Sequence, residues 1–334
     1  MNTMQAVVLN TFGAPLSDQQ IARPVAAAGQ VLVRVIASGV NPLDTKIAAG
    51  KADHAQVRLP AVLGIDIAGI VDSVGDDVQG FAAGDRVFGM TGGIGDVQGS
   101  LAQYAAVDAR LLAHMAPQLT MREAAALPLI FITAWEGLVD RARTGEGMKV
   151  LVHGGAGGVG HMAVQLAAAR GAQVYATGSA GQREAIEKMG ATFIDYQTTS
   201  VEQYVQQHTG GEGFDVVYDT VGGATLDASF RAARQYGGHV VSCLGWGTHA
   251  LAPLSFRAAT YSGVFTLLPL LSGKGRAQHG AIMKEAAALV AEGKLKVALD
   301  ASVYTLDAAS VTAAHAALLD GTARGKVVVQ VGEA

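Results

Sequence analysis

The stretch that decides the fold is KVLVHGGAGGVGHMAVQLAAARG at residues 149–171, where a glycine-rich turn joins a β-branched apolar run to an alanine-rich helix. Gly155, Gly157 and Gly160 stand at the G-x-G-x-x-G spacing of dinucleotide-binding turns. The first glycine permits the tight turn, the second lets backbone approach a pyrophosphate, and the third lets the helix pack on the strand. The pyrophosphate then lies at the helix N-terminus, where unpaired N–H groups and the helix dipole favour negative charge. The motif predicts a nucleotide site; the alternative is an ordinary strand-to-helix turn.

The segments around this turn alternate between strand-like and helix-like patterns from about residue 123. The strand-like runs are KVLVH, AQVYAT, ATFID, FDVVYDT and GHVVSCLG, and the helix-like runs are HMAVQLAAAR, GQREAIEKMG, SVEQYVQQH and ATLDASFRAAR. This alternation predicts βαβ units and a parallel sheet. SGVFTL is expected to form a sixth strand, and RAQHGAIMKEAAALVAEG a long amphipathic helix that closes the sheet. Residues 123–297 are therefore predicted to form a Rossmann domain, a doubly wound α/β fold.

The part of the chain before residue 123 has a different pattern. Short β-branched runs (QAVVL, QVLVRVIAS, IAGIVDSVG and DRVFGM) are broken by glycine, proline and aspartate, which predicts an all-β unit. The tail contains a helix-like stretch, LDAASVTAAHAALLDG, and a strand-like stretch, KVVVQV. We expect this tail to return to the β unit, so that residues 1–122 and 298–334 form one domain.

Composition excludes several classes of protein. A chain of 334 residues exceeds the usual span of one core, and 50% apolar with 16% charged residues is typical of a compact protein. A net charge of −4 without a basic run argues against nucleic acid and anionic membranes as partners. The single cysteine, Cys243, can form neither an internal disulfide nor a thiolate zinc cage, so we expect a reducing, cytoplasmic setting. MNTMQAVVLN lacks a signal-peptide pattern, and the apolar runs AAALPLIFITAW and GVFTLLPLL are short enough to be buried core.

Several motifs carry a resemblance that spans essentially the whole chain. They are ASGVNPLD at 37–44, LGIDIAGIV at 63–71, GDRVFG at 84–89, AALP at 125–128, TAWEGL at 133–138 and VHGGAGGVG at 152–160. With them the chain resembles the medium-chain dehydrogenase/reductase superfamily, and within it the zinc-independent quinone oxidoreductases of the zeta-crystallin type. The resemblance implies a GroES-like β domain that holds substrate, a Rossmann domain that holds cofactor, and an active site in the cleft between them.

The chain departs from the zinc alcohol dehydrogenases of that superfamily at the metal ligands. Those enzymes have a cysteine near the position of Ser38 or Gly39, and a Gly-His-Glu motif where this chain reads Gly64, Ile65 and Asp66. The cysteine-rich loop of their structural zinc is absent too. We therefore predict no metal. Without a Lewis acid, quinones and activated enones are better acceptors than simple ketones, because conjugation spreads the charge that hydride brings.

The resemblance implies three candidate catalytic residues. The Asn-Pro-x-Asp turn faces the nicotinamide in the family, so Asn41 would donate its amide N–H to the substrate oxygen or hold the nicotinamide ribose. Asn41 and Asp44 also fit a turn before proline with a helix cap. Thr133 matches a hydroxyl near the nicotinamide, although a core threonine with a local hydrogen bond explains it equally well.

Further cofactor contacts follow from the same resemblance. The glycine turn, with Ala156, Gly158 and Val159 beside its three glycines, would bind the pyrophosphate. CLGW at 243–246 and FTL at 265–267 match segments that meet the nicotinamide end; the residues are Cys243, Leu244, Gly245, Phe265, Thr266 and Leu267. Ligands in open α/β sheets bind outside the carboxyl ends of strands, which agrees with these positions. Cys243 itself is interpreted as a small buried apolar residue rather than a nucleophile.

The choice of nucleotide follows from an absent acid. NAD enzymes place Asp or Glu about 20 residues past the glycines, where it accepts from the ribose 2′-OH. Here the strand ends at Thr177, Gly178 and Ser179, and Arg183 follows. Ser179, Arg183 and Tyr196 match family positions that cradle a 2′-phosphate, which predicts NADPH. The alternative is that Arg183 is an exposed helix charge and Tyr196 a packing residue.

The sequence thus predicts a zinc-independent, NADPH-dependent quinone oxidoreductase, an enzyme that transfers hydride to a quinone or activated enone. Two alternatives stay open. A 2-alkenal or enoyl-thioester reductase would also protonate carbon, but 46–64 contains no tyrosine to act as the acid, which leaves water or Lys46. A nucleotide-binding protein without turnover is the other. By analogy with relatives, we expect a homodimer formed through the Rossmann domain.

Overall fold

The computed structural model describes residues 3–333, and the chain folds into two compact units. The first unit comprises the residues up to Leu129 together with those from Leu267 onward. The second unit is Ile130–Thr266. The first unit is therefore discontinuous in sequence, and the second is an uninterrupted segment.

The elements are numbered in chain order. The strands are β1 (Thr3–Leu9), β2 (Ser17–Ala22), β3 (Gln30–Gly39), β4 (Ala61–Val62), β5 (Asp66–Val74), β6 (Arg86–Met90), β7 (Tyr104–Asp108), β8 (Leu112–His114), β9 (Lys149–His153), β10 (Gln173–Gly178), β11 (Thr192–Asp195), β12 (Val216–Asp219), β13 (His239–Ser242), β14 (Thr260–Gly263), β15 (Tyr304–Thr305) and β16 (Val328–Gln330). The α-helices are α1 (Pro42–Ala48), α2 (Met121–Ala126), α3 (Pro128–Trp135), α4 (Gly158–Ala169), α5 (Arg183–Lys188), α6 (Val201–Thr209), α7 (Ala224–Ala232), α8 (Ala252–Ser255), α9 (Leu268–Ser272), α10 (Arg276–Ala291) and α11 (Ala308–Leu319). Three 3₁₀ turns (Asp53–Ala55, Ala109–Leu111 and Ala180–Gln182) and a π-helical segment (Glu136–Arg141) complete them.

Two sheets form the first unit. β2, β1 and β4 make a three-stranded antiparallel sheet, and the larger sheet runs β15-β16-β3-β5-β6-β8, with β7 also paired to β3. Alternate residues of β3 enter a core with β5 and β6, because successive strand residues point to opposite faces. That core includes Val31, Val33, Val35, Ile67 and Val87.

The register of the larger sheet positions the candidate site of the first unit. Gly39 at the end of β3 lies opposite Asp66 at the start of β5 and opposite Val328 at the start of β16. Three distant parts of the chain therefore meet where β3 ends. Gly39 also lets α2 approach closely, since a Cβ there would lie 2.1 Å from the carbonyl oxygen of Ala125.

The second unit contains a six-stranded parallel sheet in the order β11-β10-β9-β12-β13-β14. This is the doubly wound 3-2-1-4-5-6 order of a Rossmann fold, so the predicted fold class is confirmed. Tyr204, Phe214, Val217 and Phe230 pack in its core on one side of the sheet. The predicted sixth strand is displaced: β14 ends at Gly263 and so contains only the first two residues of SGVFTL.

The segment from Leu267 to residue 297 differs from its predicted place. The sequence assigned it to the Rossmann domain, with its long helix closing the parallel sheet; instead α10 packs on β8 of the first unit. Gly280 allows this close packing, since a Cβ there would lie 2.3 Å from the carbonyl oxygen of Arg110, and Arg276 Nη1 donates to Asp108 Oδ2 at 3.0 Å. An amphipathic pattern shows that a face is buried, but not which sheet covers it. Residues 123–129 also lie with the first unit.

The predicted apolar runs are largely buried. In AAALPLIFITAW, Leu127, Phe131, Ile132 and Ala134 are each fully buried. In the part of the chain that the structure describes, no helix has the length and apolar character needed to cross a bilayer.

Candidate active site

A buried hydrogen-bond network lies at the end of β3 in the first unit. Asn41 follows β3 and precedes Pro42, the first residue of α1, and it is fully buried. Its Nδ2 donates to Asp66 Oδ2 at 2.9 Å, and its Oδ1 accepts from Lys326 Nζ at 2.5 Å. Its backbone N–H donates to Asp44 Oδ2 at 2.8 Å. The predicted pair Asn41 and Asp44 therefore lies together with Asp66 and Lys326, whose part in this network the sequence analysis missed.

The network fixes which end of the Asn41 carboxamide faces which neighbour. An ammonium only donates and an ionised carboxylate only accepts. The oxygen of Asn41 must therefore face Lys326 and its nitrogen must face Asp66. One of the two amide hydrogens goes to Asp66, which leaves the other for a further acceptor.

Asp66 and Lys326 are each held by the main chain as well. The Leu129 N–H, at the start of α3, donates to Asp66 Oδ1 at 2.8 Å, where the positive end of the helix dipole favours a carboxylate. Lys326 Nζ also donates to the carbonyl oxygen of Val40 at 3.0 Å. The ammonium is thus aimed at two consecutive residues at the end of β3.

Burial changes the titration of all three charged groups. Burial is the main cause that raises the pKa of Asp44 to about 7, and the nearby Asp66 raises it further. Burial likewise raises the pKa of Asp66 to about 6, while Lys326 and the Asn41 amide act to lower it. Burial lowers the pKa of Lys326, against the two carboxylates, which raise it. Hydrogen bonds from the backbone of Asn41 and of Gly64 act to lower the pKa of Asp44.

A pair of hydroxyls occupies the region where the resemblance places zinc ligands. Ser38 Oγ and Ser100 Oγ lie 2.7 Å apart, and Ser100 Oγ donates to the carbonyl oxygen of Asp66 at 2.8 Å. Gly64, with φ +98°, leaves room for them, since a Cβ there would lie 2.5 Å from Ser100 Oγ. Among residues 3–333, no group of three or more His, Cys, Asp or Glu side chains could hold a metal ion. The metal-free site stays a prediction that metal analysis tests.

The glycine turn of the second unit has the geometry that a dinucleotide needs. The left-handed residue is Gly154, with φ +70°, one position before the motif. Gly155 and Gly160 each stand where neighbouring atoms leave no room for a side chain. A Cβ at Gly155 would lie 2.6 Å from the Cβ of Ala176, and a Cβ at Gly160 would lie 2.0 Å from the oxygen of Gly154. Gly157 is exposed and is the N-cap of α4, which begins at Gly158. The exposed start of α4 therefore fits a phosphate group.

Two threonines hold the base of this turn. Thr177 Oγ1 accepts from the Gly154 N–H at 3.1 Å and lies 3.2 Å from Nδ1 of the buried His153, and Thr220 Oγ1 donates to the oxygen of His153 at 2.6 Å. Burial lowers the pKa of His153 to about 4, so the imidazole is neutral at physiological pH. His153 therefore acts as a packing residue below the turn.

In the second unit a buried acid, Asp219, supports the loops that follow β12 and β13. It accepts from the Gly222 N–H at 2.9 Å and from Ser242 Oγ at 2.7 Å, and Ser242 Oγ accepts from the Leu244 N–H at 3.0 Å. The predicted contacts Leu244 and Gly245 thus lie in a loop tied to Asp219. Sequence reasoning missed Asp219, although an acid at the end of a buried strand is itself a signal.

The predicted hydroxyls Thr133 and Thr266 lie together, with their Oγ1 atoms 3.5 Å apart. The carbonyl oxygen of Thr133 accepts from Tyr218 Oη at 2.6 Å. A Cβ at Gly137 would lie 2.7 Å from the Tyr218 ring, so this glycine makes room for it. Phe265, next to Thr266, stacks edge-on against Trp246 at 6.3 Å between ring centroids.

The remaining residues that were predicted to contact the cofactor say less about function. Cys243 is half-buried, and burial raises the pKa of its thiol to about 12, which agrees with the apolar interpretation. Leu267 is buried and belongs to the first unit. Ala156 and Val159 are half-buried within the glycine turn.

The predicted phosphate cradle lies around the ends of β10 and β11. Ser179 follows β10, and Tyr196 follows β11 with its N–H 3.4 Å from the oxygen of Gly178. The guanidinium of Arg183 lies 4.4 Å from the ring centre of Phe193, and Nη1 is 3.2 Å from Glu187 Oε1. Arg183 and Tyr196 are both exposed.

An acid is present one strand away from the position where NAD enzymes carry one. Asp195 at the end of β11 lies opposite Gly178 in the sheet register. Its Oδ1 accepts from the Gln197 N–H at 2.9 Å, so the carboxylate already closes a turn. The end of β10 itself carries Ser179 and no acid.

With these two sites described, the relatives of the chain can be compared. Residues 27–117 match the model of the alcohol dehydrogenase GroES-like domain, and residues 189–329 match that of zinc-binding dehydrogenases. The 2-methylene-furan-3-one reductase of Solanum lycopersicum is 35% identical over 93% of this chain and 74% of its own length. The chain belongs to the medium-chain dehydrogenase/reductase superfamily. The GroES-like and Rossmann domains that the sequence predicted are those of this superfamily.

Other members of the medium-chain dehydrogenase/reductase superfamily resemble the chain too. The spectinabilin polyketide synthase system protein NorB of Streptomyces orinoci is 36% identical over 91% of this chain, which spans 13% of that protein. The structure of an alcohol dehydrogenase superfamily protein from Novosphingobium aromaticivorans is 54% identical, covers 99% of this chain and 100% of its own, and has a TM-score of 0.96. The CurK enoyl reductase (27% identical, 99% and 100% of the two chains, TM-score 0.85) and the quinone oxidoreductase of Coxiella burnetii (28%, 99% and 100%, 0.82) are also similar.

Proposed function

We propose that the protein is a zinc-independent, NADPH-dependent oxidoreductase that transfers hydride to a quinone or an activated enone. The observation that carries the proposal is the network of Asn41, Asp66 and Lys326 at the end of β3. In this proposal the second amide N–H of Asn41, which the network leaves without an acceptor, would point to the acceptor molecule in the region where zinc dehydrogenases of the superfamily bind a metal. Hydrogen bonding is a weaker aid than a Lewis acid, so it suits acceptors whose conjugation already spreads the incoming charge.

The residues of the first unit have defined tasks in this proposal. A bound reduced nicotinamide supplies the hydride. The free amide hydrogen of Asn41 donates to the acceptor oxygen as negative charge develops there, or holds the nicotinamide ribose. Because Asn41 does not titrate and its orientation is fixed, little reorganisation is needed during the reaction. Asp44 keeps the Asn41 backbone in place through its cap of α1.

The second unit would hold the cofactor. The backbone from Gly155 to Gly160 and the start of α4 would bind the pyrophosphate. Thr133 and Thr266, with the loops containing Cys243 and Phe265, would meet the nicotinamide end. Ser179, Arg183 and Tyr196 would cradle a 2′-phosphate, for which Arg183 would exchange its exposed contact with Glu187.

A 2-alkenal or enoyl-thioester reductase is the second candidate. The tomato relative is named for reduction of a methylene-furanone, a conjugated enone, and NorB and CurK are named for polyketide synthesis and enoyl reduction. Such a reaction returns a proton to carbon. Asp44 keeps its proton to about pH 7, but this carboxyl is buried. Lys46 is exposed to solvent. Water is therefore the simplest proton donor.

The decisive experiment follows NADPH oxidation with 1,4-benzoquinone, 9,10-phenanthrenequinone, a simple enone and an enoyl thioester in parallel. EDTA-treated enzyme tests the metal-free proposal, and NADH serves as the cofactor control. Quinone turnover with NADPH that survives EDTA supports the proposal, and activity confined to enones or thioesters supports the second candidate. Tight NADPH binding without oxidation by any acceptor would leave a non-catalytic nucleotide-binding protein. Stoichiometric zinc in the purified protein would contradict the metal-free site.

We also propose a homodimer in a reducing, cytoplasmic setting, with neither nucleic acid nor membrane as partner. β14 is an edge strand of the parallel sheet. Phe256, which precedes it in the chain, and Tyr236, whose N–H donates to the oxygen of Arg257, are 85% and 86% exposed. The single cysteine, Cys243, agrees with a reducing setting, and the net charge of −4 agrees with the absence of a nucleic-acid or membrane partner. Light scattering tests the dimer, and a binding assay with single-stranded RNA at physiological salt tests the absence of a nucleic-acid partner.

A further inference from the structure

We infer that Lys326 is a positioning residue for Asn41: its ammonium, together with Asp66, holds the Asn41 carboxamide in the one orientation that presents an N–H to the acceptor or the ribose. The inference deepens the proposed function and rests on it for the role of Asn41. The orientation of the carboxamide is a property that can be measured without turnover.

The placement of Lys326 is the first argument. Its side chain is 6% exposed, and its main chain is bonded on both sides, with its N–H on the oxygen of Ala298 at 2.7 Å and its oxygen on the Asp300 N–H at 3.0 Å. From this anchor the ammonium reaches residues that lie 285 and 286 positions earlier in the sequence. Both of its hydrogen bonds go to Val40 and Asn41.

The second argument is the electrostatics of a carboxamide flip. A free asparagine side chain can exchange its oxygen and nitrogen by rotation, because the two ends have almost the same shape. In the flipped form the amide hydrogens of Asn41 would point at the ammonium, and its oxygen at the carboxylate of Asp66. Both contacts would be repulsive in a buried site of low dielectric constant, so the two charges select one orientation.

The third argument concerns what an apolar residue would do instead. A buried ion pair is weak evidence for stability, since well-packed apolar residues often serve as well. The chemistry of Lys326 is therefore better explained by what it orients than by the packing it supplies. A methionine would fill a similar volume and would leave the oxygen of Asn41 without a donor.

The sequence makes the orientation measurable. The chain contains three asparagines, Asn2, Asn10 and Asn41. Protein labelled with ¹⁵N-asparagine therefore gives signals from three side-chain amides, and Asn41→Gln assigns those from the site. In the wild-type protein we expect the Asn41 amide hydrogens to be strongly shifted and to exchange slowly with solvent.

Lys326→Met is the main variant, with Lys294→Met, a change at an exposed lysine, as the matched control. In Lys326→Met we expect Asn41 amide exchange to become at least about tenfold faster and kcat to fall at least about tenfold. KM for NADPH should change less than about threefold where Asn41 donates to the acceptor, and should rise along with the loss of kcat where Asn41 holds the ribose. A general loss of structure would instead raise KM and lower the melting temperature together with kcat. Lys294→Met should match wild type in every readout.

Lys326→Met leaves two buried carboxyls without a cation and could unfold the first unit. The double variant Lys326→Met/Asp66→Asn removes both partners and leaves no ion pair half-broken. The carboxamide introduced at position 66 would use its oxygen for the Leu129 N–H and turn its amide toward Asn41. We therefore expect the Asn41 carboxamide to flip, its signals to move, and kcat to stay low in this folded variant.

The outcomes separate the two proposals. If the wild-type protein oxidises NADPH with none of the acceptors, the proposed function fails, but the amide signals still decide whether Lys326 orients Asn41. If the folded Lys326→Met and double variants keep the wild-type Asn41 signals, Lys326 does not position Asn41 and the inference is overturned. If the signals change while kcat stays at the wild-type value, the orientation has no catalytic role, which overturns the inference as well.

Discussion

The two candidate sites are built in opposite ways. In the first unit, Asn41, Asp44, Asp66 and Lys326 are all buried and joined in one hydrogen-bond network. In the second unit, the proposed cofactor contacts are glycine backbone and side chains at the surface, such as Arg183 and Tyr196. Buried charges fix the geometry that a reaction needs, whereas exposed groups can select among ligands without disturbing the fold. Chemistry and cofactor choice should therefore respond differently to mutation.

The largest expected effect tests the backbone site of the second unit. Gly160→Ala would place a Cβ 2.0 Å from the oxygen of Gly154, so the start of α4 must move. Overpacking of this kind costs about 1–3 kcal/mol, and we expect dinucleotide affinity to fall about 10-fold to 100-fold. The measurement is NADPH binding by titration calorimetry, with a thermal melt to show that the protein is folded.

Two glycines serve as controls for that change. In Gly157→Ala the new Cβ would lie 3.2 Å from the oxygen of Gly154, so NADPH affinity should fall much less than in Gly160→Ala. In Gly181→Ala the new Cβ would lie in open space, so this variant should bind NADPH as the wild type does. Equal binding by Gly160→Ala and Gly181→Ala would show that the motif glycines are not there for a cofactor-binding turn.

A pH experiment contrasts the two sites directly. The pKa of Asp44, raised to about 7, means that the folded protein holds this proton more tightly than the unfolded chain does. Its contribution to stability is therefore present at low pH and is lost as the pH rises from about 4 to 7. The pKa of His153, lowered to about 4, has the opposite effect: stability is present above pH 6.5 and is lost as the pH falls toward 4.

Hydrogen exchange followed by mass spectrometry can read the two trends separately. Asp44→Asn should remove a pH-dependent change of about 1–3 kcal/mol around β3 and α1, and His153→Gln one of opposite sign around β9 and α4. Each variant is compared with wild type at every pH, because burial also lowers the pKa of His315 to about 4, in the first unit. Changes of the same sign in both variants would contradict the assignment of opposite pKa shifts to Asp44 and His153.

Cofactor choice should change with little effect on stability. Arg183→Glu places a like charge where the 2′-phosphate is proposed to bind, so KM for NADPH should rise at least about tenfold, or about 1.4 kcal/mol. KM for NADH should change much less. Asp195→Asn is the control on the neighbouring strand and should leave the preference for NADPH intact. An unchanged NADPH preference in Arg183→Glu would remove Arg183 from the phosphate site.

The smallest effect is expected at Tyr196. Tyr196→Phe removes one exposed hydroxyl and should raise KM for NADPH about twofold to fivefold, since a hydrogen bond to a charged group at the surface contributes little. The same kinetic assay with NADH shows whether the change is specific to the phosphate. An equal change for both cofactors would indicate packing rather than phosphate recognition.

Local patterns allowed most of the second unit to be predicted from the sequence. The strands and helices around Gly155 follow from periodicity, and the parallel sheet follows from the βαβ pattern. The position of α10 could not be predicted, since Gly280 reveals its contact with Arg110 only when both are seen together. The predicted position of β14 was wrong, because SGVFTL stays apolar beyond Gly263, where the pairing of β14 with β13 ends.

The candidate site of the first unit was only half visible in the sequence. Asn41 and Asp44 stand in one short motif, and the resemblance brings both to notice. Asp66 stands where the zinc enzymes carry a metal ligand, and Lys326 stands just before a strand, where a lysine usually lies in solvent. Its role depends on the pairing of β16 with β3, a contact that no local pattern encodes.

The discontinuous first unit also has a consequence for the order in which the protein is made. Ribosomal synthesis completes the whole of Ile130–Thr266 before Lys326 is joined to the chain. The nucleotide-binding unit can therefore fold while the nascent chain is still attached, but Asn41 and Asp66 must wait for a cation that is added only after that unit is complete. A chain interrupted between residues 67 and 325 would carry Asp66 without its counter-ion, and its Asn41 carboxamide would lack one of the two charges that orient it.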